Sequence, residues 1–196
     1  MAHYRAIEAA GAAIAGLIKE RYPRDEFGAS LNVKTVQVTE VETSLKDEGI
    51  GICLWRVTVN GQRRARGPRI DAFGNRFKPS LPLDLSFLVI PHSSDAGKQA
   101  RMLGWVMRAL EDAGPLTAAQ LNFYLPESDI FAPDEDVDLV CDPLALADYL
   151  TLWDRFKQLP PAANYLMRML LIDSLDAVSD GQPVTTREFV VGVRAS

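Results

Sequence analysis

Asp84, His92, Ser93 and Ser94 put an acid, a base and two hydroxyls on one short stretch of chain. A nucleophilic mechanism would need the carboxylate to hold one imidazole nitrogen while the other takes the hydroxyl proton. Residues 83–90 read as a strand, however, and eight strand residues span roughly 26 Å at about 3.3 Å each. Asp84 then does not reach His92 without a sharp bend, and the plainer reading is a solvent-facing Asp84 with a serine capping the helix that follows. His3 and His92 are the two histidines and Cys53 and Cys141 the two cysteines. They form no HxxxH or CxxC spacing, so no metal site is expected. The chain also lacks a GxSxG elbow and a phosphate-binding P-loop. Gly49-Ile50-Gly51 precedes a strand instead of opening a helix and is expected as a turn or bulge. No reaction and no cofactor follow from these residues.

Charge is distributed more tellingly. Residues 61–82 carry Arg63, Arg64, Arg66, Arg69, Arg76 and Lys78 against Asp71, with Phe73 and Phe77 interleaved. Residues 127–142 carry Glu127, Asp129, Asp134, Glu135, Asp136, Asp138 and Asp142 with no basic residue. Two flexible segments of opposite sign favour self-association, because complementary patches fix encounter and register; two solvated loops that never meet are the plain alternative. Patches on different sides of a protomer would make a heterologous contact, which closes into a ring when its rotation permits. Aromatic rings among arginines also allow bases to stack while guanidinium groups hold phosphates. The net charge of -5 counts against nucleic acid as the main partner.

The elements that must position these residues are legible from periodicity. With 196 residues, 47% hydrophobic and 24% charged, the chain suits one α/β (α+β) domain with a sizeable core. Ile7, Ile14, Leu17 and Ile18 mark a first helix ending near Tyr22, before Pro23. Its uncharged run from Ala9 to Ile18 is too short to span a bilayer, and Arg5 and Glu8 crowd it, so it reads as a core or interface helix and not as a signal peptide. Residues 33–41 read as a half-exposed strand with Val36 and Val38 on one side. Residues 42–49 form a polar turn, and 52–60 a strand whose more apolar face is Cys53, Trp55, Val57 and Val59. Residues 61–82, rich in Gly and Pro, form a long loop or a hairpin with a flexible tip.

Leu83, Leu85, Phe87 and Val89 give the next strand one wholly apolar face, and the other becomes apolar only toward its end. Leu103, Val106, Met107 and Leu110 recur at i, i+3, i+4 and i+7 of a helix stopped by Gly114 and Pro115. Asp142-Pro143 signals a helix start, followed by Leu146, Tyr149, Leu150 and Trp153 at the same spacing, with Pro160 and Pro161 as the stop. Residues 165–172 are apolar except for Arg168, which fits a central strand or a buried helix equally. The end from Ser179 is compatible with an added edge strand or a mobile tail. Cys53 and Cys141 each lie in an apolar run, where a free thiol acts as a small core residue. Trp105 and Trp153 read as core or interface anchors. The order implies a mixed, mostly antiparallel sheet with helices packed on it.

Residues 83–110 also carry a resemblance. They are similar to the strand "plpLdLhYLl" and helix "LLGraMraLhd" of the tail terminator, or cap, family of extracellular contractile injection systems of the antifeeding-prophage and Photorhabdus virulence cassette type. Residues 52–60 resemble that family's "slfLYrVtpN" strand, Tyr149 to Trp153 its "eLsrlWsal" helix, and Tyr165 to Asp173 its "yrlSvaYrvsvvlId" strand, which tips 165–172 toward strand. The similarity covers most of residues 1–175 in order. Leu85-Ser86-Phe87 stands where the family has Leu-His-Tyr, and Gly61-Gln62-Arg63-Arg64 where it has Arg-Asn.

The resemblance implies a structural cap subunit, tail-terminator-like in fold, forming a sixfold ring that ends the inner tube and outer sheath. Its partners would be itself, tube and sheath, with no membrane and no cofactor. Assembly would be cytoplasmic, with release of the particle left open. Residues 63–78 are then candidates for the contact with the rings below, through Arg63, Arg64, Arg66, Arg69, Phe73, Arg76, Phe77 and Lys78. Asp134, Glu135, Asp136 and Asp138 are candidate partners within the ring. The competing readings are a nucleic-acid-binding module using loop 61–82 and a small-molecule enzyme using Asp84 or His92.

Overall fold

A computed structural model describes residues 2–37, 40, 48–63, 67–71, 73–126, 129–155 and 161–178. Helix α1 (Ala6–Arg21) and the four-residue α2 (Arg24–Phe27) lead into strands β1 (Asn32–Thr35) and β2 (Gly49–Val59). A short hairpin, β3 (Arg69–Ile70) and β4 (Arg76–Phe77), precedes β5 (Leu81–His92) and α3 (Ala96–Ala113). Then come β6 (Leu116–Thr117), α4 (Ala118–Phe123), β7 (Asp136–Cys141), α5 (Leu146–Arg155) and β8 (Ala163–Ile172). The main sheet runs β1-β2-β5-β8-β7-β6, antiparallel except for the parallel β1/β2 edge pair.

The centre of that sheet is apolar because its strands are. Leu85, Phe87 and Val89 of β5 and Tyr165, Met167 and Leu170 of β8 are buried in one cluster under α1, α3 and α4. Each such side chain contributes roughly 1.5–3 kcal/mol by leaving water. The ambiguous run 165–172 is a strand, decided by its place between β5 and β7. Tyr165 also donates from its hydroxyl to the Met107 carbonyl at 3.3 Å, tying β8 to α3. In α1 the small residues Ala6, Ala9, Ala10 and Ala13 are buried beside Ile14, Leu17 and Ile18, as a core helix requires. Gly16 is needed there: a Cβ would overlap the Tyr124 ring.

On the opposite face a smaller cluster of Val36, Cys53, Leu88, Ile90 and Leu152 lies under α5. The face assigned to β2 from alternation is therefore half right. A bulge between Leu54 and Arg56 shifts the register, so Val57 pairs with Leu85 and Val59 with Leu83, on the side away from Cys53. Both valines remain exposed, although their partners Leu85 and Leu83 are buried.

Other local expectations are corrected too. Gly49–Gly51 opens strand β2 and is neither a turn nor a bulge; a side chain on Gly49 would collide with the Asn32 carbonyl of β1. The cap of α3 is Asp95 and not a serine: its Oδ1 accepts from Gly97 N at 2.7 Å and Lys98 N at 3.2 Å. Those backbone bonds, Lys98 first, hold the Asp95 carboxyl below its usual range. Asp142 does not cap α5, which begins four residues later at Leu146. Its backbone N–H instead donates to the Asn164 carbonyl at 3.0 Å and extends the β7/β8 pairing. Cys53 is buried as expected, whereas Cys141 is exposed. Val38, residues 41–47 and the end from Ser179 lie outside the described residues.

Candidate assembly interface

Over its described part from Arg69 to Phe77 the basic segment takes the hairpin form of the two expected. Arg69 pairs with Phe77 and Ile70 with Arg76, and the residues after β8 join them: Phe77 bridges to Ala177, and Val178 N donates to the Arg76 carbonyl at 2.8 Å. Its turn is tied down, because Asp71 Oδ1 accepts from Phe73 N at 2.9 Å and Asn75 N at 2.8 Å while Oδ2 accepts from Asn75 Nδ2 at 2.8 Å. The Asn75 side chain, followed by these backbone donors and the Arg69 charge, lowers the Asp71 carboxyl. Gly74 supplies the left-handed conformation at φ +84° that closes the turn. Phe73 stands at the tip, 91% exposed, with Ile70 64% exposed beside it.

The candidate cations divide sharply. Arg69 turns inward: its guanidinium lies 4.4 Å from the Phe77 ring centroid, and its Nε is 3.5 Å from Asp173 Oδ2. Nε and Nη2 are buried without a hydrogen-bond acceptor among the described residues, so the Asp173 contact is an ion pair without hydrogen-bond geometry. Lys78 pairs with Asp176 at 2.7 Å, both side chains exposed, a contact of small net worth. Arg76 is exposed on β4. Arg64, Arg66 and the Arg63 side chain lie outside the described residues. The Arg69–Phe77 pair is thus engaged within the domain, leaving Phe73 as the exposed ring of the hairpin.

The acidic segment is part turn and part strand. Asp134, Asp136 and Asp138 are exposed, the last two on β7. Half-buried Glu135 accepts from Ala132 N at 2.7 Å. Burial raises its pKa, and the Asp173 and Asp134 charges push the same way, against the lowering by the Ala132 bond. Arg69 meets Asp173 just after β8, and Asp134, Glu135 and Asp136 line one hollow with Met169 and Leu171 of β8, so the two oppositely charged segments share one end of the sheet. The strand register agrees: Leu81 of β5 faces Ile172 of β8, and β7 begins beside that end of β8.

Asp84 is structural. Its Oδ2 accepts from Asn60 Nδ2 at 2.8 Å and its Oδ1 from Met169 N at 3.0 Å. The second bond holds Met169 at φ +62°, in a β8 bulge where Arg168 and Met169 together face the single β5 residue Asp84. Strand β5 runs unbroken to His92, so Asp84 and His92 sit at opposite ends of it, and Ser93 Oγ donates to Glu48 at 2.7 Å.

One surface that the sequence left open between core and interface proves exposed. The α5 stripe of Leu146, Tyr149, Leu150 and Trp153 is 73%, 40%, 56% and 52% exposed. The helix is instead fixed by buried Leu152 and by the Asp148–Arg56 ion pair at 3.3 Å, while Tyr149 and Trp153 lie ring to ring at 6.0 Å. The available signal was Leu152 itself, an apolar position outside the stripe, which gives α5 more apolar surface than one sheet contact covers. Among the described residues no helix is long and apolar enough to cross a membrane.

Comparison with known proteins fits this architecture. No curated protein matches the chain. Among solved structures, the sheath/tube terminator of an extracellular contractile injection system, PVC, in its extended state superposes with a TM-score of 0.58 at 16% identity, over 97% of this chain and 64% of that one. The cap of the anti-feeding prophage, a tube-terminating cap, gives 0.57 at 15% identity, over 93% and 60%. These likenesses are of fold, and the chain spans less than two thirds of the length of either relative. The family model describing the Pvc16 N-terminal domain matches residues 9–186, nearly the whole sequence. The chain belongs to the Pvc16 N-terminal domain family.

Proposed function

We propose that the protein is a structural terminator subunit, capping a phage-tail-like contractile particle as a ring and ending growth of its inner tube and sheath. One observation carries the reading: a family domain shared over nearly the whole chain, with the fold of a sheath/tube terminator. The surface supports it. A terminator needs faces that bind protein, and the domain presents an exposed apolar stripe on α5 and a tied-down aromatic tip on the β3–β4 hairpin. Exposed apolar side chains grouped in this way mark protein contacts more often than small-ligand sites.

The ring is sixfold in this reading, matching tube and sheath, and assembles in the cytoplasm before any release. The hairpin faces the last tube or sheath ring or the neighbouring subunit through Phe73 and Arg76, and Arg63, Arg64 and Arg66 of the same basic segment add charge to that contact. Arg69 serves the contact indirectly by holding the hairpin upright on Asp173. The test is particle length by electron microscopy: deletion of the chain should give tubes of uncontrolled length, and Arg63→Glu with Arg64→Glu and Arg66→Glu should do the same. Uniform particles of normal length without the chain would overturn the reading.

A further inference from the structure

A second surface, on another side of the domain from the hairpin, completes a contact. An open groove of about 510 Å³ lies between the first half of α1 and the β1/β2 edge of the sheet, lined by Tyr4, Ile7, Glu8, Thr35, Leu54 and Phe87 among others. Its floor is apolar, with Phe87 buried and Ile7 and Leu54 partly so. Its rim is Thr35, the Glu8 carboxylate and Tyr4, which is 73% exposed. Clefts that seat ligands or anchoring side chains run to about 300–1,000 Å³, so this one holds an aromatic ring and a neighbouring aliphatic chain.

The hairpin supplies that pair. Phe73 and Ile70 project from a turn already fixed by Asp71 and Gly74, so little conformational freedom is lost when they are buried. Exposed Arg76 accompanies them, opposite in sign to Glu8 on the groove. We infer that the Phe73/Ile70 tip of one protomer docks in the α1–β1/β2 groove of a second copy of this chain, with Arg76 facing Glu8.

Tip and groove share no residue, and the tip sits at the sheet end near Leu81 while the groove lies along the β1 edge. The contact is therefore heterologous: each protomer gives a tip to one neighbour and receives one from another, the arrangement that builds rings or open chains and not a twofold dimer. This deepens the ring of the proposed function by naming its subunit contact. It also revises the expectation that Asp134, Glu135, Asp136 and Asp138 receive the arginines, since that segment shares the hairpin's own end of the sheet.

The experiment mixes two single variants of the full chain, each at an exposed position. Phe73→Asp removes the tip, and Thr35→Trp fills the groove. Each alone should weaken self-association, read by light scattering and sedimentation, by at least about tenfold, as loss of an anchoring side chain does. Mixed, they should form a one-to-one heterodimer that grows no further, because one intact tip and one intact groove remain. Circular dichroism confirms that each variant is folded. A second pair acts through charge: Glu8→Arg and Arg76→Glu should each weaken self-association and restore it together. A mixture that stays monomeric overturns the inference, as does a variant that keeps wild-type mass or a wild-type chain that never self-associates. If Phe73→Asp still self-associates but no longer joins particles, the tip binds a tube or sheath subunit and the inference also fails. Particle length without the chain is read separately, so loss of the terminator reading is distinguishable from loss of this contact.

Discussion

Helices α3 and α5 have the same apolar spacing and opposite fates. Leu103, Val106, Met107 and Leu110 of α3 pack into the main core between α1, β5 and β7. Leu146, Tyr149, Leu150 and Trp153 of α5 face out, while Leu152 meets the sheet. The spacing fixes that a helix has an apolar side and says nothing about what covers it. For α3 the cover is part of the same domain; for α5 the stripe is exposed among the described residues.

The largest effect that could break this comparison is a buried charge. Val106→Asp places a carboxylate at a fully buried position and should cost about 4 kcal/mol or more, or unfold the domain, in denaturant titration. Leu150→Asp should stay within about 0.5 kcal/mol of wild type by the same measurement. A large loss from Leu150→Asp would mean that the stripe is covered within the isolated domain. Next, Leu110→Ala should cost about 2–5 kcal/mol as a core truncation, and Trp153→Ala far less while reducing assembly into particles. Equal losses of stability from the two would erase the distinction between the helices.

Asp84→Ala sharpens the contrast between a half-buried, doubly hydrogen-bonded carboxylate and the exposed acids. It strands Met169 N and Asn60 Nδ2 and should cost about 1–3 kcal/mol, whereas Asp136→Ala and Asp138→Ala should be near neutral.

The smallest effects are in pH. The carboxyl of Glu135 is raised in the folded state, so the stability linked to its proton is present below the unfolded value and lost as pH rises through the folded one. Asp95 is lowered, so its contribution is present above the unfolded value and lost as pH falls through the folded one. Glu135→Gln should flatten the first slope and Asp95→Asn the second, in thermal melts across the carboxylate range.

Much of the fold was legible because burial imposes a period. The alternation of Leu83, Leu85, Phe87 and Val89 marked the central strand, and Gly114 the end of α3. The bulge at Trp55 was not legible, since one extra residue in a strand shifts every later side chain without changing composition. Cys141 and Asp142 misled for a related reason: each sits at the end of a pairing, where exposure and hydrogen bonds depend on the neighbouring strand. In the candidate site, the sequence marked residues 61–82 by charge but not the use of Arg69 within the domain. It left Trp153 of α5 open between core and interface because an exposed stripe and a buried one are spelled alike.

What the chain settled on its own is local: which segments are helix or strand, which side of each is apolar, and where charge gathers, all written in spacing and side-chain type. What folding settled is relational. That both charged segments share one sheet end, that Arg69 faces Asp173 and Phe77, and that the α5 stripe is exposed among the described residues depend on contacts between residues far apart in sequence, and no local period encodes them.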